Sequence, residues 1–320
     1  MSFVRARLPK VRLPAVYAYE TPGSERTSTT GAPYMLLEGF YGNTLQDGAA
    51  DFFSLPDAIQ HHIITQWTRV QAELATFAWP RIGSISQLDN GEPVIGPLAS
   101  ASIDQLQNAG PFPTALDYFT DLSEALRKTL ATQSSAGSSC GYCRLGTLVF
   151  DRILSHTKLF NEDKPETLFQ LSHMDLGFQN MLIDDDFNIV AVIDWEYAQS
   201  APWQTYHYPM PFPLREPDQE IQDILKDPNH LAHRNVERQN KARMMYKDGF
   251  QVAEDELEKQ GKVFQRRISD VLDSPASRVF ACFSTLGDLH GEGDKALVHA
   301  MLQLAFGMDS ERAEEYLESL

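Results

Sequence analysis

The sequence predicts an α+β fold with a short strand-bearing front and a mostly helical remainder. Three observations predict it: two apolar runs near the N-terminus, a long helical stripe after them, and, near mid-chain, two apolar runs joined by an Asp-rich turn.

The first residues, MSFVRARLPKVRL, are basic, carry no acid and have the composition of a mitochondrial targeting segment. Pro9 and Pro14 break an amphipathic helix and VYAY follows as a strand, so the segment is expected to belong to the fold. PAVYAY (14–19) and PYMLLEGF (33–40) read as strands, and the Gly- and Pro-punctuated stretch between them reads as a loop. Ile59, Ile63, Trp67, Val70, Leu74 and Phe77 recur at spacings of four and three, predicting a helix with Ser54 as N-cap and an end at Trp79-Pro80. Turn formers through 81–113 (RIGSI, LDNGEPVIGPL) predict a hairpin and an irregular crossing, and helices are expected over 114–132 and 143–160.

NMLIDDDFNIVAVIDWE then reads as a β-hairpin with Asn180 at the start of one strand and Asp194 at the end of the other. Both fall at the same end of the ribbon, where Asp175 also enters. Residues 201–217 are rich in proline and aromatics and should run extended, and the rest should be helical with glycine breaks at 261, 287 and 291–293.

At 320 residues the chain exceeds one small core and suits two lobes or one large domain. The apolar fraction of 42% and charged fraction of 22% are those of a globular protein. No apolar run is long enough to span a membrane, and the default compartment is cytoplasmic. A net charge of −17 disfavours a nucleic-acid partner, which requires a basic surface. Part of the acid excess lies in AEDELEK and ERAEEYLES, expected to be solvated helix faces. Three cysteines make no disulfide framework and suit a reducing compartment, and CGYC lacks the further ligands a zinc site needs.

The chemistry concentrates in HMDLGFQN (173–180), where three polar residues sit between apolar stretches. Side chains in such a place are either satisfied locally or held for a reaction. Magnesium takes hard oxygen ligands, usually with only one or two carboxylates among them, and phosphates and water complete the shell. Asn180 and Asp194 suit that task, Asp175 is left to accept a proton from a hydroxyl, and His173 is expected to brace the loop by hydrogen bonding.

H-x-D-x-x-x-x-N followed after a hairpin by an Asp resembles the catalytic loop and metal-binding Asp of the protein-kinase fold. The motif alone arises by chance in on the order of one chain in a hundred of this length; the hairpin and Asp194 in the right order make coincidence far rarer. The wording HMDLGFQNMLID…VAVIDWEYAQ is similar to the aminoglycoside phosphotransferase and choline-kinase-like family, with IDWE in the place of the kinase DFG. PYMLLEGFYGNTL resembles that family's second N-lobe strand and hinge, and RIGSI…VIGPL its larger members.

The resemblance implies a protein-kinase-like fold: residues 1–40 as residual N-lobe strands and hinge, and 41–320 as a helical C-lobe with the catalytic hairpin. It implies ATP as phosphate donor, magnesium, and a small-molecule hydroxyl as acceptor. Asp175 and His173 would be the catalytic-loop residues, Asn180 and Asp194 the metal ligands, and Glu38, Gly39 and Phe40 the adenine hinge.

The family's N-lobe opens with a glycine-rich strand pair and a strand Lys paired with a helix Glu. Neither is in this sequence, which opens at the end of the helix that would carry that Glu. GEGDK (291–295) follows no strand and reads as a helix break. Two expectations follow: an active small-molecule kinase whose gene product extends upstream of Met1, or a catalytically impaired pseudokinase-like binding module.

Overall fold

In a computed structural model, which describes all residues except 21–22, 48–50, 100–108, 135–140, 162–163, 165–166 and 289–290, the N-terminal segment packs as part of the fold. A helix, α1 (Ser2–Arg7), fits ahead of Pro9, which biases Leu8 away from helical backbone. Phe3, Val4, Leu8, Val11 and Leu13 are buried. The prolines thus limit the helix to six residues rather than abolishing it.

Strands β1 (Val16–Glu20) and β2 (Tyr34–Leu37) pair antiparallel, with Tyr19 opposite Met35. The stretch between them, expected as a loop, holds α2 (Glu25–Thr30). Its signals are local: the Ser24 hydroxyl accepts from the Thr27 N–H at 3.0 Å, and Gly31 closes the helix at φ 79°.

After β3 (Asn43–Thr44) comes the predicted long helix, α3 (Asp57–Ala75), with Ile63, Trp67, Val70 and Leu74 buried. Its two ends differ from expectation. Ser54 does not cap it; the Ser54 hydroxyl donates to the Asp51 carbonyl at 2.6 Å within a 3-10 turn, and Pro56 takes the cap position. The helix also stops at Ala75, because Ala78–Trp79 is recruited as strand β4.

A hairpin of β5 (Ser84–Asp89) and β6 (Glu92–Gly96) turns through Asn90 and Gly91, both at positive φ (51° and 84°), as a tight hairpin requires. Helices α4 (Ala115–Ser134) and α5 (Gly141–His156) follow as predicted. Strand β7 (Phe169–Ser172) is central: β4 lies on one side and β10 (Gln199–Ala201) on the other. The predicted hairpin is β8 (Met181–Ile183) with β9 (Ile189–Val192), and β3 pairs with the outer edge of β8.

The C-terminal third is helical: α6 (Asp218–Lys226), α7 (His233–Lys259), α8 (Ile268–Val271), α9 (Pro275–Phe283), α10 (Glu292–Phe306) and α11 (Ser310–Glu318). Gly261 and Gly287 adopt positive φ at breaks, whereas GEGDK opens α10 from Gly291. None of the described helices is long and apolar enough to cross a membrane.

Two apolar clusters hold the chain together. One joins α1, α3 and α7 to the β8–β9 hairpin; the other joins α4, α5, α9, α10 and α11, and Trp203 packs against both. The acidic run at the end of α7 is not uniformly solvated. Glu254 is fully buried and accepts from the Ile268 N–H at 2.5 Å, the Ser269 hydroxyl at 2.5 Å and Arg267 Nε at 3.2 Å. It caps α8 from outside that helix, and burial pushes its carboxyl above the usual range. Cys143 is disulfide-bonded, a bond not expected from the cysteine count, and Cys282 is a buried free thiol. Cys140 of CGYC lies outside the described residues.

Candidate active site

Strand β7 is buried along most of its length, and the chain leaves it through Met174, at φ 67°. Left-handed backbone costs a non-glycine residue of order 1 kcal/mol or more. Here the Ser172 hydroxyl accepts from the Met174 N–H at 3.2 Å, and the reversal separates its neighbours: His173 is buried at 1% exposure, whereas Asp175 is partly open. The loop continues through a 3-10 turn (Phe178–Asn180) into β8. Trp67 of α3 pins it: its indole Nε1 donates to the Leu176 carbonyl at 2.9 Å, and its ring lies 5.0 Å from that of Phe178.

Asp175 and Asn180 come together directly. The Asn180 side-chain Nδ2 donates to the Asp175 backbone carbonyl at 2.7 Å and to Asp175 Oδ2 at 2.9 Å. The other carboxylate oxygen, Oδ1, accepts from Gln179 Nε2 at 3.0 Å. Gln179 was not among the residues the motif singled out; its signal is a spacing of four from Asp175 across the turn.

Asp194 follows the far strand. The Ile193 N–H donates to the Asn180 carbonyl at 3.0 Å, so Asp194 leaves the ribbon beside Asn180, at φ 60° and ψ 63°. Its carboxylate is exposed and makes no hydrogen bond among the described residues. With Nδ2 committed to Asp175, Oδ1 is the atom Asn180 can offer a cation. One amide oxygen and one uncommitted carboxylate suit magnesium, which draws its remaining ligands from phosphates and water. No group of three or more His, Cys, Asp or Glu suited to a metal exists among the described residues.

His173 braces this assembly. Its Nε2 lies 3.0 Å from the Ile193 carbonyl, which can only accept, so Nε2 carries the proton and Nδ1 is left buried without a partner. The ring meets Trp195 edge-on, with centroids 4.7 Å apart. Burial lowers the imidazole pKa below its ordinary value.

Glu38, Gly39 and Phe40 follow β2. The Glu38 side chain is spent on structure: it accepts from the Ala15 N–H at 3.0 Å and Arg5 Nη1 at 3.2 Å, and the backbone bond is the larger cause holding its carboxyl below the usual range. The backbone polar groups of Gly39 and Phe40 make no hydrogen bond among the described residues. Two residues later Gly42 passes so close to β8 that a Cβ there would lie 2.7 Å from the Ile183 carbonyl oxygen. Glycine at 42 lets β3 join the hairpin that carries Asn180 and Asp194.

The family model described as the phosphotransferase enzyme family (APH) matches residues 1–204. The chain belongs to that family. Among solved structures it is similar to that titled aminoglycoside phosphotransferase APH(2'')-Ib, ADP-bound, at 12% identity and a TM-score of 0.42, covering 95% of this chain and 80% of that one. It is also similar to the gentamicin-APH(2'')-IIa complex, at 14% identity and a TM-score of 0.40, covering 94% and 77%. No curated protein matches in sequence.

The proline- and aromatic-rich residues 203–212 are largely core: Tyr206, Tyr208 and Phe212 are buried, and Met210 is the exposed exception. A cavity of about 60 Å³, lined by Ser172, Met174, Leu176, Tyr206, His207 and Tyr246, lies beside the loop. That volume holds a water or two, not an acceptor molecule. The Tyr206 hydroxyl, buried without a protein partner, has the chemistry to bind one such water.

Proposed function

We propose that this chain transfers the terminal phosphoryl group of ATP to a hydroxyl of a small molecule. Asp175 orients that hydroxyl and accepts its proton, and Asn180 and Asp194 hold magnesium. The backbone of Glu38, Gly39 and Phe40 meets the adenine, and His173 supports the loop. Residues 1–40 form the N-lobe remnant with the hinge, and 41–320 the C-lobe.

The observation that carries this reading is the convergence of Asp175, Asn180 and the strand end leading to Asp194 through three short hydrogen bonds. Phosphoryl transfer asks a protein mainly for positioning and charge neutralisation, and a fixed carboxylate beside a two-ligand cation site supplies both. The test is ATP consumption with magnesium across a panel of polyhydroxy and aminohydroxy acceptors. Acceptor-stimulated turnover that disappears in Asp175→Asn supports the reading; ATP binding with no turnover for any acceptor, in the purified full chain, overturns it.

A second reading, a nucleotide-binding or partner-binding module with impaired turnover, is favoured by the front sheet. Strands β1 and β2 leave Tyr17, Tyr19, Met35 and Leu36 exposed at 65%, 64%, 58% and 56%, an apolar surface available to a partner. Nucleotide-dependent stabilisation without phosphoryl transfer would select it.

A further inference from the structure

The amide of Gln179 lies against the very oxygen of Asp175 that Asn180 leaves alone. A carboxylate offers about four acceptor directions on two oxygens. Asn180 takes one at Oδ2 and Gln179 one at Oδ1. Held only at Oδ2, the carboxylate could turn about its terminal torsion, which is broad and two-fold. Held at both oxygens, its plane is fixed, and so are the directions left for a hydroxyl.

Gly177 makes this arrangement possible. Its backbone, at φ −114° and ψ −175°, is open to any residue, so conformational freedom does not call for glycine there. A Cβ at 177 would instead lie 2.3 Å from Gln179 Oε1 and 2.9 Å from both Cδ and Nε2. The Gln179 side chain folds back over the bare face of Gly177 to reach Asp175. Gln179 is itself exposed, so this placement must offset the entropy of ordering a long side chain. A methyl group at 177 would turn the side chain outward at little cost to the fold, since the clash is with its flexible end.

We propose that Gln179 is a positioning residue for the acceptor, fixing the Asp175 carboxylate from the solvent side, and that Gly177 is its seat. The inference rests on the phosphotransferase reading above. It assigns to the pair the orientation of whatever hydroxyl, water included, approaches Asp175.

The experiment measures magnesium-ATP turnover by the full chain with water as the acceptor, in the wild type, Gln179→Ala, Gln179→Glu, Gly177→Ala and the Gly177→Ala/Gln179→Ala double variant. Loss of a hydrogen bond to a charged group predicts kcat lowered by about 10- to 100-fold in Gln179→Ala, with KM for ATP unchanged. Gln179→Glu, which sets a carboxylate against a carboxylate, should lose at least as much. Gly177→Ala should match Gln179→Ala, and the double variant should lose no more than either, because both remove one contact. The thermal midpoint should stay at the wild-type value in each.

Turnover of Gln179→Ala within about twofold of wild type would overturn the inference. So would losses that multiply in the double variant, which would give Gly177 a separate role. A wild type that binds ATP but turns it over neither with water nor with any acceptor of the panel sinks the phosphotransferase reading and this inference with it, a result distinct from either.

Discussion

Asn180 holds Asp175 twice, through the backbone carbonyl at 2.7 Å and through Oδ2 at 2.9 Å. The two contacts fix both the loop and the side chain with one amide, and Asn180 is 4% exposed, so competing water is nearly excluded. Asp175→Asn keeps the size of the side chain but replaces the proton acceptor with an amide. Turnover should fall by roughly 10²- to 10⁴-fold, the usual range for losing a positioned general base. The thermal midpoint should change little, since 175 is partly open. Comparing kcat with the melting temperature separates a chemical defect from a folding one; a rate retained at full stability removes Asp175 from the role.

Nucleotide binding is measured without knowing the acceptor. A ligand at 100 times its Kd stabilises the folded state by about 2.7 kcal/mol. Magnesium-ATP should therefore raise the thermal midpoint, and ATP with a chelator should raise it less. Asp194→Ala should erase the difference between the two conditions, because Asp194 supplies an uncommitted carboxylate at the end of the hairpin strand beside Asn180. A shift of equal size with and without magnesium would take Asp194 out of cation binding.

The site was more legible than its surroundings. Asp175, Asn180 and Asp194 could be placed at one hairpin end because two short apolar runs joined by an Asp-rich turn read as a hairpin whose outer ends meet. The observed pairing, Met181 opposite Val192, keeps Asn180 and Asp194 at the same end, while the register slips by one between Leu182 and Ile183, which the sequence pattern does not reveal. Features that depend on distant partners were not legible. The helix at 57–75 ends early because residues 78–79 are needed beside β7, some 90 positions later in the chain. Glu254 reads as one more acid in a solvated run, and only the approach of Ile268 and Ser269 turns it into a buried cap. Gln179 lay in view within the motif, but its role depends on a side chain folding back over Gly177, which spacing alone does not reveal.

Trp67 ties the site to the core, and its variants should separate the two contributions it makes. Its ring is fully buried among Phe178, Phe212 and Tyr246, at centroid distances of 5.0, 5.9 and 5.1 Å. Trp67→Phe keeps most of the packing but leaves the Leu176 carbonyl without its 2.9 Å donor. An unsatisfied buried acceptor costs about 1–3 kcal/mol. Trp67→Ala adds a cavity and should cost about 3–5 kcal/mol. Because Leu176 adjoins Asp175, Trp67→Phe should also lower turnover at temperatures where the protein is still folded. Urea unfolding and turnover at 25 °C check both; stability lost with turnover intact would show that the loop holds its shape without this bond.

His173 gives the site a pH dependence of stability with a definite sign. Burial lowers its folded pKa below the ordinary 6.5, and the Nδ1 that would take the second proton has no partner. Below pH 6.5 the unfolded chain therefore binds more protons than the folded one, and stability falls as pH falls. Between 6.5 and the lowered folded value each such group contributes a slope of up to about 1.4 kcal/mol per pH unit. His207 and His299 are also lowered by burial and add slope of the same sign. His173→Gln places an amide donor where Nε2 sits and removes the titration. It should keep the bond to the Ile193 carbonyl, cost little at pH 7.5, and flatten the acid-side slope by the share of one group while the other two persist. Urea midpoints measured from pH 5 to 7.5 decide it: an unchanged slope in His173→Gln means that the imidazole takes up its proton as readily in the folded chain as in the unfolded one, which would require an acceptor beside Nδ1.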